Sequence, residues 1–129
     1  MSVGIVLVTH GDTARSLVAE AAFILGQDMQ DVVTVAYDQS GAGSGGIDLI
    51  QTAIIQAETG EGVVVLTDLI GSSPCNQTAE LLEEHHALMV SGVNLPMLLS
   101  VWHYRERSLE MVVRKAVESG RRGVKIFQA

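Results

Sequence analysis

Four short runs rich in valine, isoleucine and leucine, at Gly4 to Val8, Val32 to Ala36, Gly62 to Thr67 and Ala87 to Val90, alternate with stretches whose apolar residues recur at helical spacing. Near-continuous apolar runs of this length are strands buried on both faces, and such strands belong to parallel sheets covered by helices. The alternation predicts an α/β fold. One three-layer domain over residues 1–129 carries a mostly parallel four-stranded sheet, with helices on both faces. Right-handed crossovers bring every strand-to-helix turn to one end of the sheet.

The helical stretches have readable ends. Ala14, Leu17, Val18, Ala21 and Leu25 form a stripe from Thr13 that Gly26 closes. Ile47, Ile50, Ile54 and Ala57 form the next, which stops near Gly60. Ser73 as N-cap and Pro74 at the first helical position open a third helix, expected to reach about His86. Met97 to Tyr104 is helical, and its Trp102, His103 and Tyr104 cluster suits an oligomer interface. Ser108 caps a last helix with Leu109, Val112, Val113 and Ala116 on its stripe and its end at Gly120. Val124 to Phe127 reads as a final short strand.

Composition excludes several function classes. A chain of 129 residues with 47% hydrophobic and 18% charged residues is folded and has a core. No apolar run reaches the length of a membrane span, and the start lacks a signal-peptide pattern, so a cytoplasmic protein is expected. The 8 basic and 15 acidic residues give a net charge of -7, which argues against nucleic acid as a partner. Cys75 is the single cysteine and fits a reducing compartment. His85 and His86 are adjacent and make a poor metal pair, so no metal site is expected. The glycine-rich stretch Gly41 to Gly46 lacks the lysine of a phosphate-cradling Walker loop and the spacing of a dinucleotide fingerprint. It reads as a rim loop, and no cofactor is expected.

Two strand tips carry the chemistry. His10 ends the first strand and Gly11 follows at once. It is either a nucleophile delivered to the edge where open α/β sheets place their sites, or a cap for the next helix. Asp68 ends the third strand and leads through Gly71, Ser72 and Ser73 to a helix start with Asn76 in its first turn. Helix N-termini bind phosphoryl oxygens through free N–H groups. Ser72, Ser73 and Asn76 are candidate donors there, or else a cap and turn residues. The pairing of His10 with Asp68 favours function. A carboxylate that accepts from Nδ1–H fixes the tautomer and leaves Nε2 free to take a phosphoryl group.

Together, Ile5-Val6-Leu7-Val8-Thr9-His10-Gly11, Asp68 with Gly71-Ser72-Ser73-Pro74-Cys75-Asn76, Gly92-Val93-Asn94-Leu95-Pro96-Met97-Leu98 and Ser119-Gly120-Arg121-Arg122-Gly123-Val124-Lys125 stand in an order and spacing that resembles the mannose-type enzyme IIA domain of the bacterial phosphotransferase system. The resemblance covers essentially the whole chain. It implies a cytoplasmic phosphocarrier that receives a phosphoryl group from the histidine phosphocarrier protein HPr on His10 and passes it to a IIB domain coupled to sugar uptake. The membrane is then involved only through the permease. It further implies Asp68 as the partner of His10, and Ser73 with the helix start after it as the phosphoryl pocket. It also implies a homodimer in which Val124 to Phe127 adds antiparallel to the other subunit's sheet.

The chain departs from that pattern at Ser72, where a glycine is usual, at Cys75, where an apolar residue is usual, and at Asp12 beside the histidine. These departures keep a second class open: a regulatory protein whose phosphorylation state controls a partner. A phosphoryl donor subunit of dihydroxyacetone kinase is a related possibility, and a small-ligand-binding α/β domain is the plainest one.

Overall fold

The computed structural model describes residues 1–37 and 44–128. It contains the strands β1 (Gly4–His10), β2 (Val33–Tyr37), β3 (Val63–Thr67) and β4 (Ala87–Val90). Its helices are α1 (Thr13–Leu25), α2 (Ser44–Ala57), α3 (Ser73–Leu81), α4 (Leu95–Tyr104) and α5 (Leu109–Arg122). The sheet is parallel throughout, in the order β2-β1-β3-β4. The chain leaves β1 toward β2 on one side and later places β3 on the other, so the strand order reverses between β1 and β3. That is the crevice where open α/β sheets take their ligands, and its two carboxyl tips belong to His10 and Asp68.

Both faces of the sheet are covered. Ile5 and Leu7 of β1 with Val64 and Leu66 of β3 pack under α1, α4 and α5. The alternate residues Val6, Val8, Val63 and Val65 pack under α2 and α3. All five residues of β3 are buried, as a strand flanked on both sides and covered on both faces requires. Gly4 is a glycine for a packing reason, since a Cβ there would run into the main-chain carbonyl of Ala57 at the end of α2.

The four expected strands of the sheet and the five helices form, but several of their details differ. The N-cap of α3 is Ser72, whose extended backbone and hydroxyl contact to the Cys75 N–H place Ser73 as the first helical residue. That helix ends at Leu81, short of His86. Pro74, Cys75, Thr78 and Leu81 complete its buried stripe, and the exposed Glu83 and Glu84 beyond offer nothing to bury. Helix α5 runs through Gly120 to Arg122. Gly120 is a close-approach glycine: a Cβ would lie 2.7 Å from Cε of Met97, and its carbonyl accepts from Asn94 Nδ2 at 3.0 Å. Trp102 belongs to the core at 8% exposure, with the Arg105 guanidinium 3.7 Å from its ring centre, so the aromatic cluster does not face outward as a whole.

Residues 124–128 form no strand within this chain. A strand needs a ladder partner, and among the described residues the only backbone bond of Val124 closes a turn onto Arg121. Val124, Ile126 and Phe127 are exposed. No helix of the described residues is long and apolar enough to cross a membrane.

Candidate functional site

His10 reaches the carboxyl edge of the sheet because β1 continues through it, where it pairs in register with Tyr37 of β2. Gly11 then takes φ 49°, a left-handed value that turns the chain toward α1. The cap of α1 is supplied by buried Thr9, whose Oγ1 accepts from the Ala14 N–H at 2.7 Å. His10 is therefore not the helix cap, and its side chain is free for another role.

That role is set by Asp68. Its Oδ2 accepts from the His10 backbone N–H at 3.0 Å and lies 2.9 Å from His10 Nδ1. Burial pushes the Asp68 carboxyl up, but the hydrogen bonds from the His10 backbone and ring and the attraction to His10 outweigh it, and the net shift is downward. Asp68 is thus a carboxylate with acceptor capacity only, so Nδ1 carries the hydrogen and the Nε2 lone pair is left over. The His10 side chain is 37% exposed against 20% for Asp68, so the ring is the more accessible member of the pair.

The turn after Asp68 leads into the α3 N-terminus. Gly71 has φ 79°, and Asn76 Nδ2 donates to its carbonyl at 3.3 Å, bracing the turn from inside the helix. Ser72 caps; Ser73 is exposed. The structure brings His10 and Asp68 into contact and joins Gly71, Ser72 and Asn76 in a second group. Among the described residues no hydrogen bond links the two groups. Asp12 and Arg15 are 4.0 Å apart and both strongly exposed, so Arg15 is a solvated charge. No group of metal-ligating side chains occurs among the described residues.

Sequence reasoning missed three contributors. Tyr37, at the tip of β2, sets its ring edge against His10 with centroids 6.3 Å apart and planes at 68°. The second apolar run ends at Ala36, so Tyr37 reads as the start of a loop; the parallel ladder carries β2 one residue further and sets Tyr37 opposite His10. Leu69 and Ile70, directly after Asp68, are 60% and 76% exposed. Large apolar side chains on an exposed turn beside the His10–Asp68 pair are candidates for a contact surface.

The family profile described as PTS system fructose IIA component matches residues 4–117. This chain belongs to that IIA family. Within it, the chain is 31% identical over 132 residues to the PTS system mannose-specific EIIAB component of Escherichia coli strain K12, covering 100% of this chain and 41% of that protein. The chain thus spans well under half the length of the first curated relatives it matches. It is 30% identical over 110 residues to the PTS system fructose-specific EIIA component of Bacillus subtilis strain 168, covering 81% of this chain and 71% of that one. Among solved structures, the mannose/sorbose specific IIA subunit from Enterococcus faecalis superposes with a TM-score of 0.90 at 21% identity, covering 100% of this chain and 97% of that one. At that identity the likeness speaks for the IIA fold, with its parallel sheet and flanking helices.

Proposed function

We propose that this IIA-family chain is a cytoplasmic phosphocarrier that receives a phosphoryl group from phospho-HPr on His10 and hands it to a IIB domain coupled to uptake of a mannose-family sugar. The His10–Asp68 pair carries the reading. In the transfer, the donor's P–N bond breaks as the His10 Nε2 lone pair forms a new one. The ring becomes an imidazolium with its proton on Nδ1, and the Asp68 carboxylate 2.9 Å away stabilises that charge. The reverse steps deliver the group to the acceptor.

The α3 N-terminus supports the same reading, because its free N–H groups and dipole favour the phosphoryl oxygens. Gly71, Ser72, Ser73 and Asn76 would line that pocket. Leu69 and Ile70 would meet the apolar surface of donor and acceptor in turn. The exposed tail Val124 to Phe127 would pair with the sheet of a second subunit in a homodimer, burying Ile126 and Phe127, which are 89% and 95% exposed here.

The test is reconstitution. The chain is incubated with phosphoenolpyruvate, enzyme I and HPr, and purified IIB domain is then added. Label moving through this chain onto IIB supports transport. Label that stays on this chain, with a partner protein captured by only one phosphorylation state, supports the regulatory reading, which the exposed Asp12 two residues from His10 favours. Label passing to dihydroxyacetone kinase supports that alternative.

A further inference from the structure

Asp68 fixes the rotation of the His10 ring through one hydrogen bond, but a single bond leaves the ring free to tilt about its axis. We propose that Tyr37 and Gln77 act as a positioning pair that removes this freedom and ties the imidazole to α3. The inference rests on His10 being the reacting group.

Tyr37 holds His10 in two ways. Its carbonyl accepts from the Gly11 N–H at 3.2 Å, which pins the chain just past the histidine. Its ring stands edge-on to the imidazole, within the separation at which aromatic pairs attract. Tyr37 is itself fixed. It is 6% exposed, and its hydroxyl accepts from Gln77 Nε2 at 3.3 Å. Gln77 lies on α3, the helix whose N-terminus faces the phosphoryl oxygens in the proposed reaction.

A third element closes over the pair. A Cβ on Gly46 of α2 would lie 2.7 Å from Gln77 Oε1 and 3.2 Å from Cε2 of Tyr37. The last glycine of the glycine-rich stretch thus lets the α2 backbone press onto the Tyr37–Gln77 contact. The links run from α3 through Gln77 and Tyr37 to the imidazole. They set His10 Nε2 relative to the helix N-terminus, two parts of the site that no direct hydrogen bond connects among the described residues. Placement errors of about 1 Å cost on the order of 100-fold in rate, so such a tie matters to transfer.

The experiment is a double-mutant cycle on the full chain with Tyr37→Phe, Gln77→Leu and both, with Tyr37→Leu as the variant that removes the ring. Rates of phosphoryl transfer from phospho-HPr are read as kcat and KM, and the His10 imidazole ¹⁵N shifts are read in the unphosphorylated chain. The expected result is a drop in kcat of roughly 3- to 10-fold in each single variant with KM held, no further loss in the double variant, and a larger drop in Tyr37→Leu. The His10 shifts should move in all four. Single losses that multiply in the double variant, or His10 shifts unchanged in folded variants, would overturn the pair. If the native chain takes no phosphate, the phosphocarrier reading fails while the ¹⁵N shifts still decide on the pair. Should Tyr37→Leu not fold, the two conservative variants complete the test.

Discussion

One carboxylate oxygen of Asp68 serves both the backbone and the ring of His10, at 3.0 and 2.9 Å. The backbone bond fastens the tip of β1 to the end of β3, and the ring bond chooses the tautomer. Structure and chemistry at this edge therefore depend on the same atom. Asp68→Asn keeps the size of the side chain but removes the charge that stabilises an imidazolium. Phosphoryl transfer to His10 should fall by roughly 10²- to 10⁴-fold, between the loss for carboxylate partners of metal-bound histidines and that for the carboxylate of a Ser-His-Asp triad. Single-turnover transfer from phospho-HPr measures this, and an unchanged rate would remove Asp68 from the chemistry.

The lowered Asp68 pKa carries a consequence for stability. A carboxyl held below its unfolded value stabilises the fold fully above that value, about pH 4, and progressively less as pH falls through the folded value. The native chain should lose urea resistance over this acid range more steeply than Asp68→Asn. Urea midpoints from pH 7 to pH 3 give the comparison, and parallel curves would argue against the contribution.

Ser72 and Ser73 are adjacent and chemically identical, yet only Ser72 caps α3. Ser72→Ala should cost about 1 kcal/mol, and the 3.4 Å bond to Cys75 places it no higher than that. Ser73→Ala, at an exposed first-turn position, should stay within about 0.5 kcal/mol. Equilibrium unfolding of the two variants checks the order, and a larger loss at Ser73 would put the cap one residue later.

Ile70 is 76% exposed, two residues after Asp68. Ile70→Asp should leave the fold intact and raise the KM for phospho-HPr by about 10-fold with kcat little changed, since it alters docking and not the reacting groups. A fall in kcat at constant KM would place Ile70 in the chemistry instead.

Gly4 admits no side chain, because the Ala57 carbonyl carbon sits 2.8 Å from where a Cβ would be. Gly4→Ala should destabilise the chain by about 1–3 kcal/mol, the usual cost of overpacking. Thermal unfolding measures it, and a neutral result would mean that β1 and the end of α2 separate easily.

The sheet was legible because the Val63 to Leu66 run can only be a strand buried on both faces, and helices must then cover it. The contact between His10 and Asp68 was legible because a parallel sheet sets the carboxyl ends of neighbouring strands side by side. Local chemistry was harder to read where two positions satisfy the same rule. Proline is acceptable at the first or second helical position, so Pro74 did not separate Ser72 from Ser73 as cap. A glycine that ends a helix and one that lets another helix approach look alike in sequence, and Gly120 is the second kind. Tyr37 escaped notice because its contribution depends on the ladder register that sets it beside His10, which one strand alone does not reveal.

The most direct measurement is the position of the phosphoryl group itself. A uniformly ¹⁵N-labelled chain, phosphorylated from phosphoenolpyruvate through enzyme I and HPr, is examined by long-range ¹H–¹⁵N correlation of its histidine rings. The account predicts phosphorus on Nε2 of His10, with Nδ1 still protonated against Asp68. Phosphorus on Nδ1 of His10, or on His85, His86 or His103, would contradict it.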